Sequence, residues 1–343
     1  MKLIRKLFFL AILLGLLGTI PAYYYINKSL EPIDQNDSSQ KLFYINAGSS
    51  LSLVLRKLNS DGFIKDYRTA RIYTMISGGN KKIQPGYYQI SKSMSFKQIF
   101  DKLASGKTYQ VWLTIPEGYS MKKIAKRIST KGFSENKYLS LTAQISPEYK
   151  SEYSFLDKLA STNSLEGYLF PDTYDVTGAK ETDLINSQLK RFEELIYNEW
   201  QNRPRNWKMT FHQTVTLASI VELEAQKPQE RVTIAGVFIN RLNQGIPLGS
   251  DPTVEYALGW HQGDKGLSFK DVEVKSAYNT YRNAGLPPGP IANPGLAAFK
   301  AVLNYENTPY LYFVAKGDGS HVFTKTYPEH LRAQSLIVRG LLK

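Results

Sequence analysis

The chain has 343 residues, of which 42% are hydrophobic and 13% aromatic, so it has room for two or three globular domains and is not a disordered protein. Its formal net charge is +13. The basic residues are scattered and form no dense run, which argues against nucleic acid as a partner and fits an anionic membrane surface or an acidic polymer equally well.

Cysteine is absent, which excludes disulfides, thiolate zinc sites and cysteine nucleophiles. The four histidines stand at no metal-ligand spacing, and the chain contains no His-Glu-x-x-His, Gly-x-Ser-x-Gly or phosphate-loop motif. We therefore expect no metal and no other cofactor, and neither metal-dependent hydrolysis nor phosphoryl transfer.

Residues 7–26 form an uncharged and mostly apolar run that is about as long as the core of a bilayer requires. Three basic residues precede the run, which by the positive-inside rule places the N-terminus in the cytoplasm. A cleaved signal peptide is the alternative, but Ile20, Pro21 and Ala22 make a poor cleavage site. We predict a single-pass anchor over residues 1–26, with the rest of the chain outside the cytoplasm in either case.

An internal repeat follows a polar linker at residues 27–41. The segments 43–63 and 113–133 align without gaps, and each predicts a short strand, a glycine turn, a serine N-cap, an amphipathic helix and a glycine stop. A third, partial copy at 93–107 has only the capped helix. The second copy resembles a LysM module, a small fold that holds amino-sugar polymers. A spacer without a ligand, or another small interaction module, is the alternative.

The stretch 214–226 predicts a buried helix, because it has no glycine or proline and its apolar residues nearly encircle the axis. It contains two carboxylates, Glu222 and Glu224, which lie roughly 200° apart around the axis and cannot face the same cavity. Glu222 shares its face with small residues that leave room for a bulky substrate, and a lone carboxyl in an apolar pocket has the raised pKa that suits a general acid. In the alternative interpretation both glutamates are structural and pair with Arg231 or Lys227.

A loop at residues 276–295 is too rich in proline, glycine and asparagine for regular structure, and ordered long loops of this kind are usually functional. Its Tyr278, Asn279 and Tyr281 offer the stacking faces and hydrogen-bond groups that sugar rings use. We predict that these three side chains position the substrate.

Three more polar residues are candidates for positioning the substrate: Glu166, Asp251 and Thr253. Glu166 lies among three aromatic residues in 165–176, whereas Asp251 and Thr253 lie in a turn that leads into a short helix. Each has a structural alternative, since Asp251 can cap that helix and Glu166 can belong to a buried pair.

Regular structure surrounds these stretches. The hydrophobic pattern predicts helices at 183–202, 229–242 and 296–304. Apolar segments at 310–315 and 321–324, separated by glycines, predict a β-hairpin, and a closing helix follows. This part of the chain is therefore expected to be mixed α+β.

Five blocks in order are more specific together than any one of them: LEGYLFPDTY, ASIVELEA, VFINRLNQGIPLGSDPTV, SAYNTYRNAGLPPGPIANPG and YLYFVAKGDGSHVFTKT. They resemble the endolytic murein transglycosylases of the MltG (YceG-like) family. The resemblance implies an α+β protein with an N-terminal transmembrane helix, a small LysM-like α+β region and a mixed α+β catalytic domain. The expected bounds are 42–110 for an N-terminal α+β subdomain, 111–160 for the LysM-like subdomain and 161–343 for the catalytic transglycosylase domain.

The resemblance also implies the reaction. Members of this family cut nascent peptidoglycan strands internally, between N-acetylmuramic acid (MurNAc) and N-acetylglucosamine (GlcNAc), and so end strand elongation. The family's catalytic glutamate falls in ASIVELEA at Glu222, which would protonate the glycosidic oxygen and then take a proton from the C6 hydroxyl as it closes onto C1. The product is a 1,6-anhydro end, and no water is consumed. On this interpretation Glu222→Gln abolishes cleavage and Glu224→Gln changes mainly the stability.

Two alternatives remain open at this point. A muramidase would hydrolyse the same bond, with Glu166 or Asp251 as the second carboxylate that sugar hydrolysis usually needs. A non-catalytic scaffold would bind peptidoglycan and recruit synthases without turnover. The family resemblance implies peptidoglycan strands and peptidoglycan synthases as partners, a single-pass location in the inner (cytoplasmic) membrane, and a periplasmic or extracytoplasmic catalytic domain.

Overall fold

The computed structural model describes residues 19–77, 83–159, 164–259 and 266–342, and the chain separates into two compact units, 1–111 and 112–343. None of the described helices combines the length and the apolar character that a bilayer crossing requires. The predicted span falls largely on residues 1–18, which lie outside the described residues, and its last residues belong to a helix over 19–30. The membrane anchor therefore stays a prediction.

Beyond the helix over 19–30, the described part of the first unit contains a two-stranded antiparallel sheet and three further helices. Strands β1 (Lys41–Ile45) and β2 (Gly86–Ile90) pair with each other. Helices α1 (Leu51–Ser60) and α2 (Tyr67–Ser77) lie between the strands in the chain, and α3 (Phe96–Ala104) follows them. Their apolar faces form one core, whose largest members include Phe43, Leu55, Leu58, Tyr88, Ile90 and Phe100.

The local structure of the repeat is confirmed in both copies. Ser50 caps α1 and Ser120 caps α4 (Met121–Ser129), each by accepting a hydrogen bond from the backbone N–H three residues further on. The turn before each cap contains a glycine, Gly48 or Gly118, with φ near +76° or +75°. This left-handed conformation favours glycine, so the repeat carries its turn and its cap together.

In the second unit, β3 (Trp112–Thr114) pairs antiparallel with β4 (Thr173–Asp175). Helices α4, α5 (Glu135–Ala143) and α6 (Pro147–Glu152) lie between these strands in the chain. The strand of the predicted LysM-like segment thus finds its partner beyond residue 160. The LysM-like assignment and the subdomain bounds stay predictions.

The remaining elements follow the predicted order of helices, hairpin and closing helix. Their bounds are α7 (Glu181–Phe192), a π-helical turn (Glu193–Tyr197), α8 (Asn198–Gln201), α9 (Phe211–Glu224), α10 (Arg231–Asn243), α11 (Asp251–Leu258), α12 (Phe269–Val272), α13 (Leu296–Leu303), β5 (Tyr312–Ala315), β6 (His321–Thr324) and α14 (Tyr327–Val338). In the hairpin Phe313 lies opposite Phe323. The predicted helices at 183–202, 229–242 and 296–304 and the predicted hairpin are confirmed.

Helix α9 is the centre of the second unit. Thr210 starts it with a capping box to Gln213, and apart from Gln213 every residue up to Val221 is buried. Because α9 is apolar on nearly all sides, it packs against α10, α11 and α13 at once. The prediction of a buried helix is confirmed, and its start lies three residues before the predicted one at Thr214.

Gly236 lies in the middle of α10, where a neighbouring segment approaches the helix closely. A Cβ at this position would lie 2.3 Å from the Glu306 carbonyl oxygen and 2.9 Å from Thr308 Cγ2. Alanine would gain about 0.5–1 kcal/mol of helix propensity. The clash outweighs this gain, so we expect Gly236→Ala to lower the free energy of unfolding by about 1–3 kcal/mol, measured by urea unfolding of the full chain.

The matched control for this prediction is Gly266→Ala. A Cβ at Gly266 meets no atom within 4 Å. Its effect on the free energy of unfolding is therefore expected to stay within about 0.5 kcal/mol. If Gly236→Ala and the parent chain unfold at the same urea concentration, the segment at Glu306 moves aside without cost and the prediction is wrong.

Candidate active site

Glu224 is the last residue of α9, and its carboxyl group faces a large cavity. The Ser250 hydroxyl donates a hydrogen bond to Glu224 Oε1 at 2.5 Å. Burial raises the pKa of Glu224 to about 7, against the effect of this hydrogen bond, and the nearby carboxylates of Asp251 and Glu255 raise it further. A carboxyl with this pKa is partly protonated at neutral pH, which is the state that a general acid needs.

The cavity, which we call the Glu224 cavity, has a volume of about 790 Å³. Its lining includes the side chains of Arg241, Asp251, Tyr281, Tyr312, Tyr327 and His330. The Tyr281 hydroxyl donates a hydrogen bond to Asp251 Oδ1 at 2.6 Å, and the Tyr281 side chain is partly exposed. Two of the predicted substrate-positioning residues, Tyr281 and Asp251, therefore lie in the same cavity as Glu224.

Arg241 holds one wall of this cavity in place. Its guanidinium group donates hydrogen bonds to the backbone carbonyls of Leu248, at 2.7 Å, and Leu311, at 2.5 Å. The same group lies 4.9 Å from the centre of the Tyr312 ring. Arg241 thus connects the loop after α10 to strand β5, and it fixes the position of Tyr312.

Glu222 lies in different surroundings. Its Oε2 accepts a hydrogen bond from the Gly295 N–H at 3.0 Å, and its Oε1 lies 3.3 Å from Arg231 Nη2. The two side chains of this ion pair are only 6% and 17% exposed. Burial raises the pKa of Glu222 and the nearby Glu117 carboxylate adds to this, whereas Gly295 and Arg231 oppose it.

The sequence predicts a roomy pocket for Glu222 and a purely structural position for Glu224, and the structure shows the reverse. They diverge around α9 as expected, but Glu224 is the one in the roomy cavity. Glu222 is the one paired with Arg231, and it is not among the residues that line the Glu224 cavity. The reason is tertiary: the partner segments that carry Ser250 and Gly295 return to opposite sides of the helix end.

Glu166 is buried and fully engaged with its neighbours. Both of its oxygens accept hydrogen bonds from the Met121 N–H, at 3.0 and 3.1 Å, and it also accepts from Asn293 Nδ2 at 3.2 Å and the Tyr256 hydroxyl at 3.4 Å. Burial raises its pKa to about 8, against these hydrogen bonds. Glu166 therefore joins the start of α4 to two other segments. It does not line the Glu224 cavity, and its role in positioning the substrate stays a prediction.

Asn279 and Thr253 also have internal partners. Asn279 Nδ2 donates to the carbonyls of Val272, at 2.8 Å, and Val274, at 2.9 Å. Thr253 Oγ1 donates to the Ser250 carbonyl at 2.6 Å. Both side chains are fully buried. They shape the loops around the cavity through these bonds to backbone, and their role in positioning the substrate stays a prediction.

Tyr278 packs against Tyr256, with ring centres 4.8 Å apart, and it is not part of the lining of the Glu224 cavity. Burial raises its pKa. Of the three aromatic and amide residues predicted in the 276–295 loop, the structure thus brings only Tyr281 to Glu224.

Sequence reasoning missed Ser250, which donates a hydrogen bond to Glu224, and several residues of the cavity lining, among them Arg241 and Tyr312. Ser250 directly precedes Asp251, so its position next to a candidate was an available signal. Arg241 had no local signal, because its partners lie 7 and 70 positions further along the chain. Tyr312 lies in the predicted hairpin, where alternation indicates a strand but not which face meets a site.

A buried carboxyl at the end of a helix, facing an aromatic cavity that also holds a hydrogen-bonded tyrosine, is typical of an enzyme site for general acid catalysis. The chain belongs to the YceG-like family, whose model matches residues 43–335. The family that the five sequence blocks resemble is therefore confirmed.

Named relatives and a solved structure agree with this membership. A Bacillus subtilis (strain 168) protein named endolytic murein transglycosylase is 36% identical, over 91% of this chain and 89% of that protein. A protein of the same name from Streptococcus pneumoniae serotype 2 is 30% identical, over 96% of this chain and 64% of that protein. The crystal structure of a YceG-like protein from Listeria monocytogenes is 34% identical with a TM-score of 0.59, over 86% of this chain and 99% of that one.

Proposed function

We propose that this chain is an endolytic peptidoglycan lytic transglycosylase that cleaves glycan strands at the MurNAc–GlcNAc bond. The observation that carries the proposal is the Glu224 carboxyl, buried at the end of α9 with a pKa of about 7 and facing a cavity of about 790 Å³. The names of the similar proteins supply the substrate class. A cavity of this size accommodates a ligand larger than a single sugar ring.

In the proposed reaction Glu224 acts first as an acid and then as a base. Protonated Glu224 donates its proton to the glycosidic oxygen, and the C1–O bond of MurNAc breaks. The resulting carboxylate takes the proton of the C6 hydroxyl of the same sugar, whose oxygen bonds to C1. Glu224 gives up one proton and regains one, so it ends the reaction protonated. No water is consumed, and the product carries a 1,6-anhydro end.

Glu224 replaces Glu222 as our first choice for the acid on geometric grounds. An acid must reach the substrate, and Glu224 lies in the cavity with Tyr281 and Asp251. An acid must also hold a proton: burial raises the pKa of both glutamates, but the Arg231 guanidinium beside Glu222 opposes this rise. The family-based expectation for Glu222 remains the rival assignment.

The other cavity residues have positioning roles in this proposal. Tyr281 presents an aromatic face next to the acid, and its hydrogen bond to Asp251 fixes the ring. Ser250 keeps the Glu224 carboxyl in one orientation. Positioning of this kind supplies the rate enhancement that one acid–base residue does not.

A muramidase is the second candidate function, because Asp251 lies in the same cavity as Glu224. Two carboxyl groups in one sugar site are the usual requirement for hydrolysis. In that reaction Glu224 would protonate the leaving oxygen, and Asp251 would activate a water or attack C1. The fragments would then end in ordinary reducing MurNAc.

We also propose that residues 7–26 anchor the protein in the cytoplasmic membrane, with the catalytic part outside the cytoplasm. The uncharged run and the basic residues before it support this arrangement. The relatives are named for murein, which supports a catalytic part outside the cytoplasm. Peptidoglycan synthases are the partners that the family resemblance suggests.

Mass spectrometry of uncross-linked glycan strands digested by the full chain tests the proposed function. Fragments with anhydro ends, each lighter by one water than the hydrolysis product, are expected. Fragments with reducing ends would show that the enzyme hydrolyses the bond, which would contradict the lytic reaction and assign Asp251 a catalytic role. Strands that bind but stay intact would overturn both enzymatic functions in favour of a scaffold.

A further inference from the structure

Three neighbouring aromatic rings line one part of the Glu224 cavity. Tyr312 comes from β5, and Tyr327 and His330 come from the first turn of α14. The ring centres lie 5.8 Å apart for Tyr312 and Tyr327, 5.6 Å for Tyr312 and His330, and 6.2 Å for Tyr327 and His330. We call these three residues the aromatic shelf. None of them was a candidate on sequence grounds.

Neighbouring groups restrict the position of the three rings of the shelf. The Arg241 guanidinium, itself bound to the carbonyls of Leu248 and Leu311, lies 4.9 Å from the Tyr312 ring. Tyr327 and His330 are separated by less than one helical turn, and their rings lie nearly parallel at 23°. A surface of this kind loses little conformational freedom when a ligand packs on it.

The shelf also offers groups to which a ligand can bind: an exposed ring and an imidazole nitrogen. The Tyr327 side chain is 55% exposed, so its ring is accessible to a ligand. The His330 Nδ1 atom is buried and has no hydrogen-bond partner among the described residues. Burial and the nearby Arg241 lower the pKa of His330, so at neutral pH its ring is uncharged.

Pyranose rings match these features. Their C–H faces pack on aromatic rings, and their hydroxyl and N-acetyl groups supply the hydrogen bonds that a buried neutral imidazole lacks. The shelf shares one continuous cavity with Glu224, and the cavity volume of about 790 Å³ exceeds what the sugar at the acid needs.

We propose that the aromatic shelf binds an N-acetylated sugar ring of the glycan strand, next to the ring whose bond Glu224 cleaves. This inference rests on the proposed function. The shelf makes cleavage depend on a strand that continues past the bond, because a strand end at that position leaves the shelf empty. An internal position of cleavage follows from this requirement.

The test compares Tyr327→Ala with Tyr327→Phe and Tyr305→Ala in the full chain. Tyr327→Ala is expected to raise KM for long uncross-linked strands roughly tenfold with kcat within about twofold. Tyr327→Phe keeps the ring and is expected to keep KM. Tyr305 is another exposed tyrosine, packed near Trp207 outside the cavity, and its replacement is expected to leave KM unchanged.

A second measurement separates the shelf from the reaction chemistry. Binding of the same strands to Glu224→Gln, with and without Tyr327→Ala, reports on the shelf even if the parent chain yields no anhydro ends. An unchanged affinity and KM in folded Tyr327→Ala would overturn the proposal, as would an equal loss in Tyr305→Ala. Thermal unfolding of each variant establishes that it is folded.

Discussion

Glu224→Gln is expected to lower the turnover of uncross-linked glycan strands by about 10²–10⁴-fold while the protein stays folded. Glutamine has nearly the shape of glutamate, and its carbonyl oxygen can accept the Ser250 hydrogen bond that Glu224 Oε1 accepts at 2.5 Å. It has no acidic proton, so the glycosidic oxygen receives none. Turnover of folded protein, measured by the release of fragments, is the readout.

Glu222→Gln is the matched variant, two residues away on the same helix. It weakens the ion pair with Arg231 and leaves the Glu224 cavity unaltered. We expect a lower melting temperature and turnover within about threefold of the parent chain per folded molecule. The reverse pattern, with turnover lost in Glu222→Gln and kept in Glu224→Gln, would restore the family-based assignment of Glu222.

The pH dependence of turnover supplies a control that does not depend on mutation. Because burial raises the pKa of Glu224 to about 7, the carboxyl is protonated below that pH and ionised above it. Turnover is therefore expected to fall about tenfold per pH unit above 7. The linked stability has the same sign: the contribution of protonated Glu224 is fully present below its ordinary pKa of 4.5 and is lost as the pH rises through 7. Glu224→Gln removes this contribution.

The elements that depend on local sequence were predictable. The turn and cap at Gly48 and Ser50, and again at Gly118 and Ser120, involve residues within a few positions of each other. The burial of α9 followed from its own apolar pattern. In each case the chemistry that decides the structure lies within the segment itself.

The choice between the two glutamates was not predictable from the helix. Their angular separation follows from helix geometry, but the side that becomes a cavity depends on loops that return from 26 and 73 positions further along the chain. The helix sequence shows small residues on the Glu222 face, and in the structure that space is filled by Arg231 and Gly295. Small neighbours allow a close approach by protein as readily as by substrate.

The 276–295 loop likewise shows that sequence alone does not decide which side chains reach the cavity. Its composition correctly indicated an ordered loop near the site, and Tyr281 lines the cavity. Asn279 in the same loop turns inward, because the carbonyls of Val272 and Val274 need donors. Composition identifies a functional loop, whereas the demand of buried backbone for hydrogen bonds decides which of its side chains stay free.

Arg231→Met is expected to lower the free energy of unfolding by about 3 kcal/mol. The change keeps the apolar stem and removes the guanidinium group 3.3 Å from Glu222 Oε1. Glu222, 6% exposed in the parent structure, then keeps only the Gly295 N–H as a partner among the described residues, with the Glu117 carboxylate nearby. Urea unfolding at pH 7 measures the loss, and turnover per folded molecule is expected to change little because Glu224 is untouched.

Two comparisons show whether burial is the cause. Lys227→Met removes a cation 3.4 Å from Asp318, but these side chains are 42% and 56% exposed, so a much smaller loss of stability than in Arg231→Met is expected. Adding Glu222→Leu to Arg231→Met removes the unpaired charge and is expected to restore most of the stability. If Arg231→Met costs no more than Lys227→Met, the pair is not structural, and Glu222 becomes free to act in catalysis.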